Sequence, residues 1–304
     1  MITLRRISNE PVFLPDPRHE WEQAAVFNAG AVYENGLYHM IYRATNIGGH
    51  ERFGEYINQL GYATSTDLIH WERRDEPIVR NDVPQELRGP EDPRIVMIDD
   101  TYYMTYTGFG NRFPGDYRIC LATSRDLIQW ERKGVLLDEE NKNSAFFPEK
   151  IKGEYILLHR RHPDIWLCYS KDLKHFYNHT KIMTPLKDDW QSVRIGIAGP
   201  PVRHPEGWLL FYHAVDETNA YRLGVALLDY NDPAKILARQ SRPVIEPDLD
   251  WEIHGFVPNV IFSCATMETE DQYVVIYAGA DTVIGAAVVD KKDIIFEDND
   301  RIDS

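Results

Sequence analysis

Two adjacent carboxylates, Glu91 and Asp92, stand in the segment RGPEDPR. A carboxylic acid held beside a leaving oxygen can protonate it, the step that bond cleavage at an acetal requires. Cations and polar groups recur downstream: Asn111-Arg112, Glu149-Lys150, the run His159-Arg160-Arg161-His162, and His213. Gathered in one place, such side chains hold an anion such as phosphate, arginine through paired N–H donors and lysine as a point charge. Asn28, Arg43, Asn259 and Asp281 add polar groups near the two ends of the chain. Groups of that kind discriminate between sugar epimers, because a missing hydroxyl leaves a buried partner unsatisfied. Taken singly, each residue also has an ordinary reading. Asp92 could cap a turn or pair with Arg94. Lys150 could be a solvated strand-edge residue. His213, inside WLLFYHAV, could be a satisfied core histidine. No His-x₃-His pair with a carboxylate partner points to a metal.

What would gather these residues is a repeat. Five units each carry a small-residue or proline-rich turn, an apolar strand, a tight turn and an aromatic strand: AGAVYENGLYHMIYRATN, GPEDPRIVMIDDTYYMTYTGFGN, FFPEKIKGEYILLHRRHP, AGPPVRHPEGWLLFYHAVD and VPNVIFSCATMETEDQYVVIYAGAD. The aromatic opening the second strand falls at Tyr38, Tyr103, Tyr155, Trp208 and Tyr273, separated by 65, 52, 53 and 65 residues. Strand-only repeats of this length predict an all-β, five-bladed β-propeller spanning residues 1–304 as one domain. A propeller brings the same loop of every blade to one axis, so residues distant in sequence meet there. Later strands repeat as well, in YATSTDLIHW, LATSRDLIQW and CYSKDLKHF. Their Asp67, Asp126 and Asp172 suit hairpin turns, where Asp bonds its own backbone. The segment LRRISNEPVF resembles an outer strand and is expected to complete the last blade, closing the ring and pairing a free sheet edge. The longest irregular insertion is Asn46 to Gln59, a loop that could wall a site.

Composition fits this reading. Hydrophobic residues make up 43% of 304 residues, with 17 Tyr, 12 Phe and 7 Trp, as expected of a β-rich globular chain. No apolar run is long enough for a membrane span, and the N-terminus MITLRRISNEPVF lacks a signal-peptide core. Three scattered cysteines, Cys120, Cys168 and Cys264, suit reduced thiols in a cytoplasm. A net charge of −15 disfavours nucleic acid and anionic membrane as partners. It does not exclude an anionic small ligand in a local basic cluster.

The segments RGPEDPR, FFPEK, FYHAVD and YAGAD, in this order through all five units, resemble the motifs of glycoside hydrolase family 130. That family comprises inverting β-mannoside phosphorylases and related β-1,2-mannosidases. The resemblance implies a glycosyl-transferring phosphorylase with Asp92 as the acid, in some relatives through a sugar hydroxyl. It implies a phosphate site drawn from Lys150 and His213, with Arg112 and Arg160 as candidate arginines. It implies a mannosyl site against Asn28, Arg43 and Asp281, with Glu91 and Asn111 as further substrate contacts. Inorganic phosphate is then a co-substrate, and no organic cofactor or metal is expected. The expected reaction is phosphorolysis of β-1,2-mannobiose, a β-1,2-oligomannan or a mannosyl-β-1,4-sugar to α-mannose 1-phosphate and the shortened sugar. A β-1,2-mannosidase of the same fold, or a non-catalytic sugar-binding propeller, stays open as an alternative. A five-bladed furanosidase is disfavoured because FNAG places Asn28 where an early Asp would stand. The resemblance leaves homo-oligomer formation open.

Overall fold

The computed structural model describes residues 1–47, 56–187 and 189–302. Five antiparallel sheets follow one another along the chain. Blade one is built from Ala25–Glu34, Leu37–Thr45, Asn58–Ser65 and Glu72–Arg73. Blade two uses Gly89–Ile98, Thr101–Phe109, Tyr117–Ser124 and Glu131–Leu137. Blade three uses Lys142–Phe146, Tyr155–Arg161, Asp164–Ser170 and Tyr177–Met183. In blade four the innermost strand is broken into Arg194–Ile197 and Val202–His204, both paired with Gly207–Val215, before Tyr221–Leu228 and Ile236–Arg239. The Gly199-Pro200-Pro201 sequence explains the break, since proline has no N–H for the ladder. Blade five uses Ile261–Glu268, Gln272–Gly279 and Val283–Asp290, and its outermost strand is the N-terminal Arg5–Arg6, paired with Ala287 and Val288. The sheets therefore form the expected five-bladed propeller, and the N-terminus closes it as the sequence predicts. No described helix is long and apolar enough to cross a membrane.

Apolar faces of neighbouring blades pack against each other; one cluster joins Val26, Met40 and Tyr42 of blade one to Ala265, Ile276 and Ile284 of blade five. Four blades add a buried polar lock. A tyrosine of the second strand donates to a Glu or Gln from the preceding loop, and an outer-strand arginine binds the same acceptor. The sets are Tyr42–Glu22–Arg73, Tyr106–Glu86–Arg132, Tyr212–Gln191–Arg239 and Tyr277–Glu252–Arg6. Glu252 accepts from Tyr277 at 2.9 Å and from Arg6 at 2.7 Å, so the N-terminal strand completes the lock as well as the sheet. Removing one partner of such a set strands a buried charge, a loss of about 3–5 kcal/mol. The Asp67, Asp126 and Asp172 turns are structural: each Asp Oδ1 accepts from two following backbone N–H groups.

The inner strands share one more feature. The pairing register slips by one residue between Phe27 and Gly30, Glu91 and Arg94, Lys142 and Ala145, and Ser263 and Ala265. The residues thrown out of register include Asn28, Asp92 and Asn143, all left-handed at φ +46°, +54° and +59°. Asn and Asp tolerate that conformation better than other residues with a Cβ. Bulges re-aim side chains, and here they turn three polar groups toward the axis. The axis is filled below them. Arg94 reaches across to the carbonyls of Ala198 (2.6 Å) and Ile197 (3.0 Å) in blade four. Gly30 lies against Pro93, where an added Cβ would stand 2.4 Å from the carbonyl oxygen.

Candidate active site

Above this plug lies a cavity of about 450 Å³ lined by residues of all five blades, a size suited to small-molecule binding. Its wall contains Asn28, Arg43, Asp92, Tyr117, Glu140, Lys142, Asn143, Arg160, His162, Arg194, Phe262 and Asp281. A separate cavity of about 410 Å³, lined by Tyr33, Met97, Pro148, Pro200 and Glu268 among others, opens at the opposite end of the ring.

Asp92 is 4% exposed. Its Oδ1 accepts from Asn28 Nδ2 at 2.9 Å and from Arg43 Nη1 at 3.0 Å. Burial pushes its pKa up, but the charges of Arg43, Lys142 and Arg94 and the Asn28 hydrogen bond outweigh burial and hold it below the ordinary value. Glu91 is the hub behind it, accepting from Arg43 Nη2 (2.9 Å), Asn58 Nδ2 (3.0 Å) and Lys142 Nζ (2.9 Å). Lys142 also sits 3.9 Å from the centre of the Tyr117 ring. Burial opposes its charge, while Glu91 and Asp92 raise its pKa. Asp281 behaves oppositely to Asp92: burial lifts its carboxyl to about 6.

Across the cavity stand three basic groups. The Arg160 guanidinium hydrogen-bonds to none of the described residues, and burial, with the charges of Arg194 and Arg94, brings its pKa down to about 10. Arg194 donates to the Tyr221 hydroxyl. Burial, then the charges of Arg160 and Arg194, lower the His162 pKa. A half-buried guanidinium with no carboxylate partner among the described residues is costly to leave unpaired, and an anion is the partner that satisfies it.

The cavity thus brings together five of the residues singled out from sequence: Asn28, Arg43, Asp92, Arg160 and Asp281. The other five fall elsewhere. Lys150 is on the opposite end of the ring, paired with Asp99 at 2.6 Å and lying over Tyr155. It occupies the hairpin joining the first two strands of blade three, whereas the cavity is framed by the outer ends of those strands. Arg112 is on the correct end but folds back on Asp116 (2.6 Å) and Gln85 (2.6 Å), pinning its own loop. Its neighbour Asn111 is exposed and outside the lining. Glu91 has both oxygens occupied by the cations it orients. His213 stands behind the wall, its ring 4.4 Å from that of Phe262. Burial, then Arg160, Arg94 and Arg194, keep it neutral, well below its ordinary pKa. The insertion Asn46 to Gln59, expected as a wall of the site, falls mostly outside the described residues.

Lys142, Asn143, His162 and Arg194 were not assigned from sequence. A signal for two of them exists: aligning the inner-strand starts FNAG, EDPR and KNSA puts Asn143 with Asn28 and Asp92, and Lys142 with Glu91. His159, Cys168 and His179 also bring ligand-type atoms within 4.8 Å of one another. Two ring nitrogens there are engaged with each other at 3.1 Å, and burial pushes the Cys168 thiol up to about 12.

A profile described as beta-1,4-mannooligosaccharide phosphorylase, of glycoside hydrolase family 130, matches residues 4–296. The chain is 57% identical over 296 residues to a 1,2-beta-oligomannan phosphorylase of Thermoanaerobacter sp. strain X514, covering 97% of this chain and all of that one. It is 51% identical over 302 residues to a beta-1,2-mannobiose phosphorylase of the same strain, again over 97% of this chain and all of that one. Among solved structures, the beta-1,2-mannobiose phosphorylase of Listeria innocua in complex with beta-1,2-mannobiose superposes with a TM-score of 0.88. That match covers 96% of this chain and 98% of the other at 26% identity.

Proposed function

The chain belongs to family 130 of the glycoside hydrolases, and we propose that it is a phosphorylase of β-1,2-linked mannosides. One observation carries the reading of the site: a carboxylate held ionised by neighbouring cations, Asp92, shares a cavity with an arginine, Arg160, that has no carboxylate partner among the described residues. The terminal mannosyl unit sits against Asn28, Arg43 and Asp281. Phosphate sits against Arg160, Arg194 and His162, with Lys142 between the two regions.

In this arrangement a phosphate oxygen attacks the anomeric carbon from the face opposite the leaving oxygen. The C1–O bond to the leaving sugar breaks, that oxygen takes a proton originating at Asp92, and α-mannose 1-phosphate forms with inversion. Asp92 is held ionised in the free protein by neighbouring cations. An entering phosphate brings negative charge into the same cavity and raises the carboxyl pKa, so Asp92 takes up a proton from solvent or from the phosphate itself and is competent as the acid when the nucleophile is in place. No organic cofactor is required, because phosphate replaces the activated water of a hydrolase.

Incubation with β-1,2-mannobiose, with and without phosphate, tests the reading. The expected result is mannose 1-phosphate and mannose only when phosphate is present. Asp281 and Glu140 also line the cavity and could serve a water-activating route. Release of free mannose alone, independent of phosphate, would establish that route and remove the phosphorylase.

A further inference from the structure

Among the described residues, blade three lacks the lock of the other four, in which a tyrosine and an arginine share a Glu or Gln acceptor. Four residues after the aromatic that opens the second strand, Tyr42, Tyr212 and Tyr277 follow Tyr38, Trp208 and Tyr273; in blade three His159 follows Tyr155 at the same spacing. On the outer strand, His179 takes the part of the arginine. This substitution lies in the blade that supplies Asn141, Lys142, Asn143, Arg160 and His162 to the cavity.

The hydrogen bonds here form one chain from the outer strand to the cavity wall. Asn141 uses its whole amide: Nδ2 donates to Glu139 Oε1 (2.9 Å) and to His159 Nδ1 (3.0 Å), and Oδ1 accepts from the Arg160 backbone N–H (3.2 Å). His159 Nδ1 is therefore the acceptor, so its proton is on Nε2 and points at His179 Nδ1, 3.1 Å away. His159 is fully buried. Burial, then His179 and Arg161, take its pKa down to about 3, consistent with the neutral form this pattern needs. A donor at the His179 Nδ1 position would oppose the His159 proton. A turned His159 would in turn oppose the Asn141 amide, and a flipped Asn141 would set a donor against the Arg160 N–H.

We propose that His179 is a positioning residue for the anion site, acting through His159 and Asn141 on the backbone of Arg160. The proposal rests on the reading that Arg160 holds phosphate. His179 is only partly buried, so it can be changed without opening the core. Asn at this position keeps an oxygen acceptor near the place of Nδ1, whereas Leu keeps bulk and removes the acceptor.

Steady-state kinetics on His179→Leu, His179→Asn and Arg160→Gln, varying phosphate and β-1,2-mannobiose separately, tests it. Leu should raise the KM for phosphate about 3- to 10-fold, the range of one lost hydrogen bond, with the mannobiose KM within about 2-fold; Asn should restore the parent value. The proposal is overturned if Leu leaves the phosphate KM unchanged, moves both KM values together, or is matched by Asn. If Arg160→Gln raises the phosphate KM while His179→Leu does nothing, only the positioning role falls. If Arg160→Gln itself leaves the phosphate KM unchanged, the anion site and the positioning role fall together.

Discussion

Replacing Asp281 with Asn should stabilise the protein above pH 6 and leave it unchanged in acid. Asp281 lines the cavity and hydrogen-bonds to none of the described residues, and burial lifts its pKa from 3.8 to about 6, against the opposing pull of Arg43 and Lys142. The sign follows from proton binding. Between the unfolded and folded pKa values the folded chain holds a proton that the unfolded chain has released, so stability falls as pH rises through that window. It is fully present below about pH 4 and fully lost above about pH 6. The gap is roughly two pH units at about 1.4 kcal/mol each, giving about 3 kcal/mol as an upper value. Asn carries no charge and avoids that cost at every pH. Urea denaturation at intervals from pH 4 to 8 should show parent and variant coinciding at the acid end. They should diverge up to about pH 6 and then run parallel, with a melting difference near neutrality of about 3–6 °C. The mannobiose KM should rise in the variant, since the carboxylate that burdens the fold is then serving the sugar. A stability difference that does not change between pH 4 and 7, or a variant less stable than the parent at pH 7.5, would refute the assignment of an unpaired buried carboxyl.

Asp92→Asn should lower kcat by about 10²- to 10⁴-fold, the usual worth of a positioned acid, while a circular dichroism spectrum stays unchanged; retained turnover would remove Asp92 as the proton source. Lys150→Ala should leave the phosphate KM where it is, whereas Lys142→Ala should raise it or the sugar KM several-fold, measured in the same initial-rate assay. Gly30→Ala should lose about 1–3 kcal/mol in a denaturant titration and also lower kcat, because the added methyl meets the Pro93 carbonyl beside Asp92.

Most of the fold was legible because the aromatic and turn residues recur at nearly constant intervals, which only a repeated sheet module explains. The closing role of the N-terminal strand was legible for the same reason, and Arg6 then proves to stand where Arg73 and Arg132 stand in their blades. The site was legible in part. Asn28 and Asp92 could be found because each lies in the first half of an inner strand, and Arg43, Arg160 and Asp281 because each lies near the end of a second strand or follows it. Those two ends of an antiparallel hairpin always share one side. Lys150 sits in the turn between them, so the same rule excludes it. Its neighbours FFP made it look like part of a site motif. Arg112 obeys the rule but is captured by Asp116, a pairing four residues away that no periodicity announces. His213 stands at the same place in its second strand as Arg43 and Arg160, one residue past the lock, yet Phe262 covers its shorter side chain and keeps it from the cavity. Lys142 and Asn143 stand at the same one-residue slip as Glu91 and Asp92, and they become legible only once KNSA is aligned with FNAG and EDPR.

Arg94 spans the hub and binds the carbonyls of Ala198 and Ile197, between the cavity that holds Asp92 and the one at the opposite end of the ring. A glycan cannot be drawn through such a ring as a thread through a bead. It must present a terminus, surrender one unit, and withdraw before the next can enter. An arrangement of this kind favours taking a chain from its tip, one unit at a time.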